Sequence, residues 1–534
     1  MGLWQQIQKS MKTTKYIIGV VLATMLIACS NDYENYVPEV EAPEEPTEAI
    51  YFTEDELLVL MQMRNPDNRI CIDEATEIAL DALDFFDGEI NTRSGQARTI
   101  ADVTALRGEP ATRLTTRSAN GSDIEIQMPD TVAFVFNFAD DAGFTIVPAD
   151  TRISSSILAF VKDGNLDLNE ELNHPGLEIF FSGLEEYIEW SIIEAEQRRD
   201  SLMAGILEKI AAARVKNNPD LDDAETRWTT GPEIPYQGLR IRFDTSYGPW
   251  STIRRIGPLL PVEWHQNFPF NYRLKMCSGR ADGRAPAGCV AVAIAHIMAH
   301  WKYPRRVGLH LIDWELLNEF TARPNAYENV MEKRPLPAFG TTFPDNDRRT
   351  LFRNDVALLM HVIGSGVNMT YTCDGSFVPS IFIQRMIDFL HRMGYTGGSR
   401  ENFSTTAVIN SLALNRPVIA RGYRDQTLGF NHNGHVWVID GHLTRRRQVT
   451  ITVTEYIDFI SHQIIISVTP QNHHEEVVLL HNNWGWAGQG NGYFWAGTFH
   501  VGRRIYASDT RGSVPLHERN YRFGNRIYPN IRPR

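Results

Sequence analysis

The sequence predicts an α+β protein made of two folded units joined by a polar linker. At 534 residues, the chain exceeds the roughly 250 to 300 residues at which a single hydrophobic core stops growing. Helical and strand patterns occur in both halves, and neither type dominates. The net charge of -13 argues against nucleic acid as a partner, because phosphate binding requires a basic face.

The N-terminus has the layout of an exported protein. The stretch "MKTTKYIIGVVLATMLIACSND" combines lysines, a short apolar run and Leu-Ile-Ala-Cys, which is typical of a secretory signal over residues 1–29. Its ending resembles the bacterial lipobox, in which Cys29 becomes the lipidated first residue; cleavage elsewhere, with Cys29 irrelevant, is the alternative. Both Met1 and Met11 fit as the start, because the ten residues before Met11 add nothing to the signal.

Residues 30–50 are rich in Pro and Glu, a composition that cannot build a core and is typical of a tether. We therefore expect export to the cell envelope of a Gram-negative bacterium, with a membrane anchor through a lipid on Cys29.

Residues 51–216 predict a first unit of helices and antiparallel strands. "TEDELLVLMQM", with Thr53 as N-cap, and "IDEATEIALDALDFF" are helical patterns. "TVAFVFNF" and "GFTIVPAD" flank "ADDA" as a hairpin, and "SSILAFV" predicts a third strand. An amphipathic helix closes the unit at about Lys216, with an interruption expected near Gly183.

Residues 217–249 are polar, acidic and punctuated by Pro and Gly. This composition predicts a linker, and an exposed linker is the expected place for proteolytic cleavage.

The second unit, residues 250–534, carries the candidate chemistry. In "APAGCVAVAIAHIMAHWKYP", small residues and good helix formers predict a helix from Cys289 to Trp301, stopped before Pro304. A cysteine at a helix N-terminus lies at the positive end of the dipole, which lowers its pKa toward the reactive thiolate.

A nucleophilic thiol also needs a base and a group that orients the base. His435 begins the strand-like run "HVWVID", and a second apolar run, "EEVVLLHNN", ends at Asn482 and Asn483. Two such strands side by side would bring His435 close to one of these asparagines. The chain order Cys, His, Asn is that of papain-type enzymes.

Export permits disulfides, so the cysteines after Cys29 need separate consideration. A bridge between Cys277 and Cys373 would leave Cys289 free. The alternative is that no bridge forms and that Cys71, Cys277, Cys289 and Cys373 are all free thiols.

Four motifs of the second unit resemble the streptopain family of secreted bacterial cysteine peptidases. They occur in the family's order over about residues 259–494 and are, in sequence: "LLPVEWHQNFPFN", "GCVAVAIAHIMAHWKYP", "GHVWVIDG" and "NNWGWAGQGNGYF". The first unit resembles the family's inhibitory pro-region, most clearly at "FVFNFADDAGFTIVPADTR" and "NHPGLEIFFSGLEEYIEW".

The resemblance implies a papain-like fold, a helix layer against an antiparallel sheet, preceded by an α+β pro-domain that acts as an intramolecular inhibitor. It implies Cys289 as nucleophile, His435 as general base and Asn483 as the residue that orients the imidazole. Gln266 would join the Cys289 amide in the oxyanion hole, and Trp484 would shield the His435 to Asn483 hydrogen bond. The resemblance therefore implies an endopeptidase that is made as a zymogen and that acts on protein or peptide substrates.

No cofactor and no metal are expected. His296 and His300 lie four apart on one helical face, but Ile297 stands where a His-Glu-x-x-His site would need glutamate. The stretch "NHHEE" at residues 472–476 reads as a solvated loop. Two other hypotheses stay open: a Cys-dependent acyl transferase such as a transglutaminase, and a catalytically silent surface lipoprotein that acts as a binding or inhibitor module.

Overall fold

The computed structural model describes residues 50–65, 67–90, 98–107, 113–117, 123–168, 174–217, 233–236, 239–319, 348–378, 383–427, 430–459, 462–499 and 525–534. The expected signal and tether, with Cys29, lie outside these residues apart from Ile50.

The helices of the described residues fall into a group before and a group after the predicted linker. They are α1 Glu54–Gln62, α2 Ile72–Ile90, α3 Pro175–Asn217, α4 Cys289–Trp301, α5 Trp314–Glu319, α6 Arg348–Gly366, α7 Arg385–Arg392 and α8 Thr405–Ala413. None of the described helices combines the length and apolarity needed to cross a bilayer.

The strands before the second unit are β1 Ile100–Arg107, β2 Arg113–Arg117, β3 Asp123–Gln127, β4 Thr131–Phe138, β5 Phe144–Pro148, β6 Ala159–Val161, β7 Glu233–Tyr236 and β8 Leu239–Tyr247. Those that follow are β9 Ser251–Ile256, β10 Arg306–Val307, β11 His310–Leu311, β12 Thr370–Tyr371, β13 Ser376–Phe377, β14 Tyr395–Thr396, β15 Glu401–Asn402, β16 Val418–Thr427, β17 Phe430–Phe459, β18 His462–Asn483, β19 Gly492–Trp495, β20 Arg526–Tyr528 and β21 Arg532–Pro533.

One antiparallel sheet of 13 strands runs through both units, in the order β1-β4-β5-β6-β19-β18-β17-β16-β20-β15, with β8 and β9 also paired to β17 and β7 paired to β8. The two units meet where β6 pairs with β19, at Val161 opposite Gly492. A side chain at position 492 would place its Cβ 2.3 Å from the carbonyl oxygen of Phe160. This glycine therefore permits the two backbones to approach.

The predicted α+β class, with helices against an antiparallel sheet, is confirmed, and alternation along β17 explains the layers. Val436 and Val438 pack into the core that contains α4. Trp437 and Ile439 pack into the core that contains α3. Because successive strand residues face opposite sides of a sheet, helices of the two units cover opposite faces of the same strand.

The local predictions for the first unit agree with the structure. Thr53 caps α1, with its side chain accepting from the Glu56 amide and the Glu56 side chain accepting from Thr53 N–H. Strands β4 and β5 form the expected hairpin, and the turn between them holds Asp140 and Asp141 at positive φ.

The predicted interruption of the long helix near Gly183 is wrong, because α3 continues through it to Asn217. A Cβ at Gly183 would lie 2.4 Å from the carbonyl oxygen of Thr498 in the second unit. The glycine allows close docking of the helix and does not mark a break.

Part of the predicted linker is ordered as strands. β8 pairs with β17 from Leu239 opposite Ile457 to Tyr247 opposite Val449. One face of this part of β17 packs with α1 and the C-terminal part of α3 through Val449, Ile451 and Val453. The stretch "NHHEE" likewise lies in β18 and not in a loop, because Glu475 and Glu476 pair with Arg447 and Arg446 across the ladder.

Candidate active site

Cys289 begins α4, the helix that runs to Trp301 as the sequence predicts. Gly288 precedes it with φ of 86°, a conformation that favours glycine. A disulfide joins Cys277 to Cys373 and leaves Cys289 and Cys71 as the free cysteines of the described residues. Cys289 is half-buried, and it packs against the core around α4.

Two opposing effects act on the Cys289 thiol. Burial raises its pKa, while hydrogen bonds from the backbone amides of Val436, Val290 and Cys289 itself favour the thiolate. The predicted stabilisation by the helix N-terminus is therefore present, but the balance is opposite to the expectation, because burial prevails and the pKa lies above its ordinary value.

His435 lies on β17 near the nucleophile, since the next residue, Val436, belongs to the core against which Cys289 packs. The His435 side chain is buried, at 2% exposure. Its ring stacks parallel to Trp437, with centroids 6.2 Å apart. No hydrogen bond joins the Cys289 sulfur to the His435 ring within the described part of the chain.

The hydrogen bonding of His435 defines its tautomer. Nε2 lies 2.8 Å from the carbonyl oxygen of Trp484. A carbonyl only accepts, so Nε2 carries the proton, and Nδ1 is the acceptor nitrogen of the neutral ring. Burial, together with the nearby His174, lowers the pKa of His435 to about 4 and keeps the ring neutral.

Strands β17 and β18 pair as expected, but the structure does not bring Asn483 to His435. The Asn483 amide nitrogen donates to the Val262 carbonyl at 3.0 Å, and its Oδ1 accepts from the Gly485 amide at 3.2 Å. Asn482 accepts from the Trp437 indole at 2.8 Å. The orienting contact expected from an asparagine side chain comes from the Trp484 backbone instead, a group that carries no sequence signature.

The Trp484 ring lies 6.5 Å from the His435 ring, but the described residues show no His435 to Asn483 hydrogen bond for it to shield. Its indole is fully buried, lies 5.1 Å from the Trp437 ring and donates to the Gly490 carbonyl at 2.9 Å.

Gln266 lies beside the nucleophile loop. Its backbone carbonyl accepts from the Ala287 amide at 2.7 Å, two residues before Cys289. The residue is partly exposed, so a donor at this position can face a bound molecule.

The start of α3 packs against this site. The ideal Cβ position of Gly176 lies 2.3 Å from Cδ2 of Trp484. His174, just before the helix, lies 5.7 Å from the Trp486 ring, and its Nε2 bonds to the Gln489 carbonyl at 2.9 Å. Its Nδ1 accepts from the Leu177 amide at 3.1 Å. Sequence reasoning missed His174, because nothing local links it to His435.

The helix histidines make structural contacts. His296 Nε2 accepts from the Trp264 amide at 3.1 Å. His300 Nδ1 lies 3.1 Å from the Leu259 carbonyl, and its Nε2 lies 3.0 Å from the Asn415 carbonyl. Among the described residues, no group of three or more His, Cys, Asp or Glu is arranged to hold a metal ion.

Two family models match the chain. Residues 264–494 match the Peptidase C10 family, and residues 70–188 match the Spi protease inhibitor family. The first range contains Gln266, Cys289, His435, Asn483 and Trp484.

The individual proteins that resemble this chain have low sequence identity to it. The thiol protease/hemagglutinin PrtT of Porphyromonas gingivalis is 25% identical over 261 residues, which cover 45% of this chain and only 24% of PrtT. A fragment of prointerpain A from Prevotella intermedia is 16% identical, with a TM-score of 0.38, over 79% of this chain and 98% of the fragment. Active interpain A from the same organism is 17% identical, with a TM-score of 0.29, over 52% and 95% of the two chains.

Proposed function

We propose that this chain, which belongs to the peptidase C10 family, the streptopain family of cysteine peptidases, is an endopeptidase made as a zymogen. The observation that carries the proposal is the half-buried Cys289 at the start of α4, which packs against the same core as Val436, the residue that follows His435. The family match covers both residues.

In the proposed reaction, Nδ1 of His435 takes the Cys289 proton while Nε2 stays bonded to the Trp484 carbonyl. The thiolate attacks the peptide carbonyl, and the imidazolium then protonates the leaving amine. The Gln266 side chain and the Cys289 amide hold the oxyanion. Water hydrolyses the thioester, with His435 again as base. Asn483 positions the neighbouring backbone, through Val262 and Gly485, and does not contact the base.

The first unit keeps this pair inactive in the proposal. It covers Trp484 with Gly176 and buries His174 beside His435. Burial disfavours both ions of a thiolate and imidazolium pair, which agrees with the raised pKa of Cys289 and the lowered pKa of His435. The match of residues 70–188 to a protease inhibitor family supports the same reading.

The domain boundaries and the anchor remain part of the proposal. A cut in residues 217–249 that falls before Leu239 leaves β8 paired to β17 in the mature enzyme. Export and a lipid on Cys29 are supported by the pattern of residues 1–29. A cut in the linker would leave the lipid on the first unit and release the peptidase.

The test compares the full chain with Cys289→Ala under reducing conditions and follows chain length, casein hydrolysis and incorporation of a labelled amine. We expect the parent alone to be shortened within or near residues 217–249 and then to degrade casein. Incorporation of amine without hydrolysis would indicate an acyl transferase. Chains that stay full length on their own, and that remain inert after a helper protease has cut the linker, would overturn the peptidase proposal in favour of a binding module.

A further inference from the structure

Residues 259–266, the Gln266 segment, are held by hydrogen bonds at every second residue from Leu260 onward. The partners lie on β17, at the end of β18, on α4 and in the loop just before α4. The four contacts are Leu260 N to Asp440 Oδ2 at 3.1 Å, Val262 O from Asn483 Nδ2 at 3.0 Å, Trp264 N to His296 Nε2 at 3.1 Å and Gln266 O from Ala287 N at 2.7 Å.

Among these partners, His296 lies on the nucleophile helix itself. It is two turns after Cys289 on α4 and is 1% exposed. Its contact with the Trp264 amide is two residues from Gln266, and the rings of His296 and Trp264 lie 6.1 Å apart. One rigid helix thus carries both the nucleophile and a grip on the segment that holds the proposed oxyanion donor.

The acceptor role of His296 requires a neutral ring. Nε2 accepts from an N–H group, so the proton of the ring lies on Nδ1. Burial lowers the pKa of His296 to about 3, which keeps the acceptor available throughout the neutral and mildly acidic range.

We infer that His296 is a positioning residue for peptide hydrolysis, which fixes Gln266 relative to Cys289 by holding the Trp264 amide. The inference rests on the proposed function. An oxyanion donor must lie about 2.7–3.1 Å from the developing charge, and a misplacement of about 1 Å can cost about 100-fold in rate. A thiol can still be alkylated without any oxyanion donor, which gives the inference a distinctive readout.

The experiment uses the full chain, cut by a helper serine protease that is then blocked with a serine-specific inhibitor. The variants are His296→Leu, His296→Gln, which restores an acceptor, and Gln266→Ala. His300→Leu is the matched control, since His300 is on the same helix but holds the far end of the segment at Leu259. kcat and KM are measured on a peptide, and iodoacetamide alkylation of Cys289 is followed by mass spectrometry.

For His296→Leu we expect kcat to fall about 10- to 100-fold, with KM and the alkylation rate changed less than about twofold. His296→Gln should recover most of the loss, and His300→Leu should lose less than about threefold. In the Gln266→Ala background, His296→Leu should add less than about twofold, because it acts through the residue already removed.

Unchanged kcat in His296→Leu, a parallel fall in alkylation, or additive losses with Gln266→Ala would overturn the inference while the parent remains active. If His296→Leu does not fold, His296→Asn, which keeps polarity but is too short to reach Trp264, takes its place under the same criteria. A parent whose Cys289 is alkylated but which hydrolyses no peptide overturns the proposed function, and the inference with it.

Discussion

Replacing Gly176 by alanine should open the proposed active site without any substitution in the second unit. The added Cβ would lie 2.3, 2.4 and 2.7 Å from Cδ2, Cε3 and Cγ of Trp484, whereas carbon atoms pack at about 3.5–4.0 Å. The start of α3 must therefore move by about 1.2 Å from the indole. Trp484 is fully buried and hydrogen-bonded at its indole nitrogen, so it has little room to yield.

Such overpacking typically costs about 1–3 kcal/mol, which raises the open population by about 5- to 140-fold at 1.4 kcal/mol per factor of ten. Gly205 is the matched control, because it lies on the same helix and a Cβ there meets no atom within 4 Å. Alanine at position 205 should only strengthen the helix, by up to about 1 kcal/mol.

The assay is the rate of iodoacetamide alkylation of Cys289 in the uncut chain, divided by the rate at the exposed Cys71. We expect the ratio to rise about 5- to 140-fold in Gly176→Ala and to stay at the parent value in Gly205→Ala. The processed enzymes should have equal kcat and KM. An unchanged ratio in Gly176→Ala, or an equal rise in Gly205→Ala, would refute the idea that α3 blocks the site.

Two further predictions concern acid and the disulfide. The pKa of His435 is lowered to about 4 from a usual 6.5, so its stabilising contribution is complete above pH 6.5 and is lost as pH falls toward 4; at pH 5 this alone costs roughly 2 kcal/mol. Calorimetry of the Cys289→Ala precursor should therefore show a lower Tm at pH 5 than at pH 7.5. The drop in Tm should be smaller when His174→Asn is added, because the titrating ring of His174 is gone. Equal drops in Tm would contradict a contribution of His174 to the acid sensitivity. Replacing Cys277 and Cys373 by serine should lower stability by about 2–4 kcal/mol, because the bridge closes a long loop; urea midpoints equal to those of Cys71→Ser would show that the bridge contributes nothing.

Much of the local structure could be predicted because its signals are local. The helix from Cys289 to Trp301 follows from small residues after a glycine and a proline just beyond its end, and its bounds agree with the structure. The capping box of Thr53 and Glu56 likewise lies within one turn. In both cases the deciding interactions involve residues close in sequence.

The partner of His435 could not be predicted, since it depends on strand register and on a backbone atom. A register irregularity between Ile439 and Gly441 separates the paired stretches of β17 and β18. Asn482 then meets Trp437, and Asn483 meets Val262. Because side chains alternate across a strand, the adjacent asparagines could not be distinguished without that register.

The sequence by itself determined the α+β class, the helix that presents Cys289 and the strand that carries His435. Only the tertiary structure decided that one sheet joins the units through β6 and β19, that Gly176 meets Trp484 and that burial outweighs the helix N-terminus at Cys289. The physical reason is that periodicity and capping act over a few residues, whereas desolvation and strand pairing depend on which distant segments exclude water from the same place.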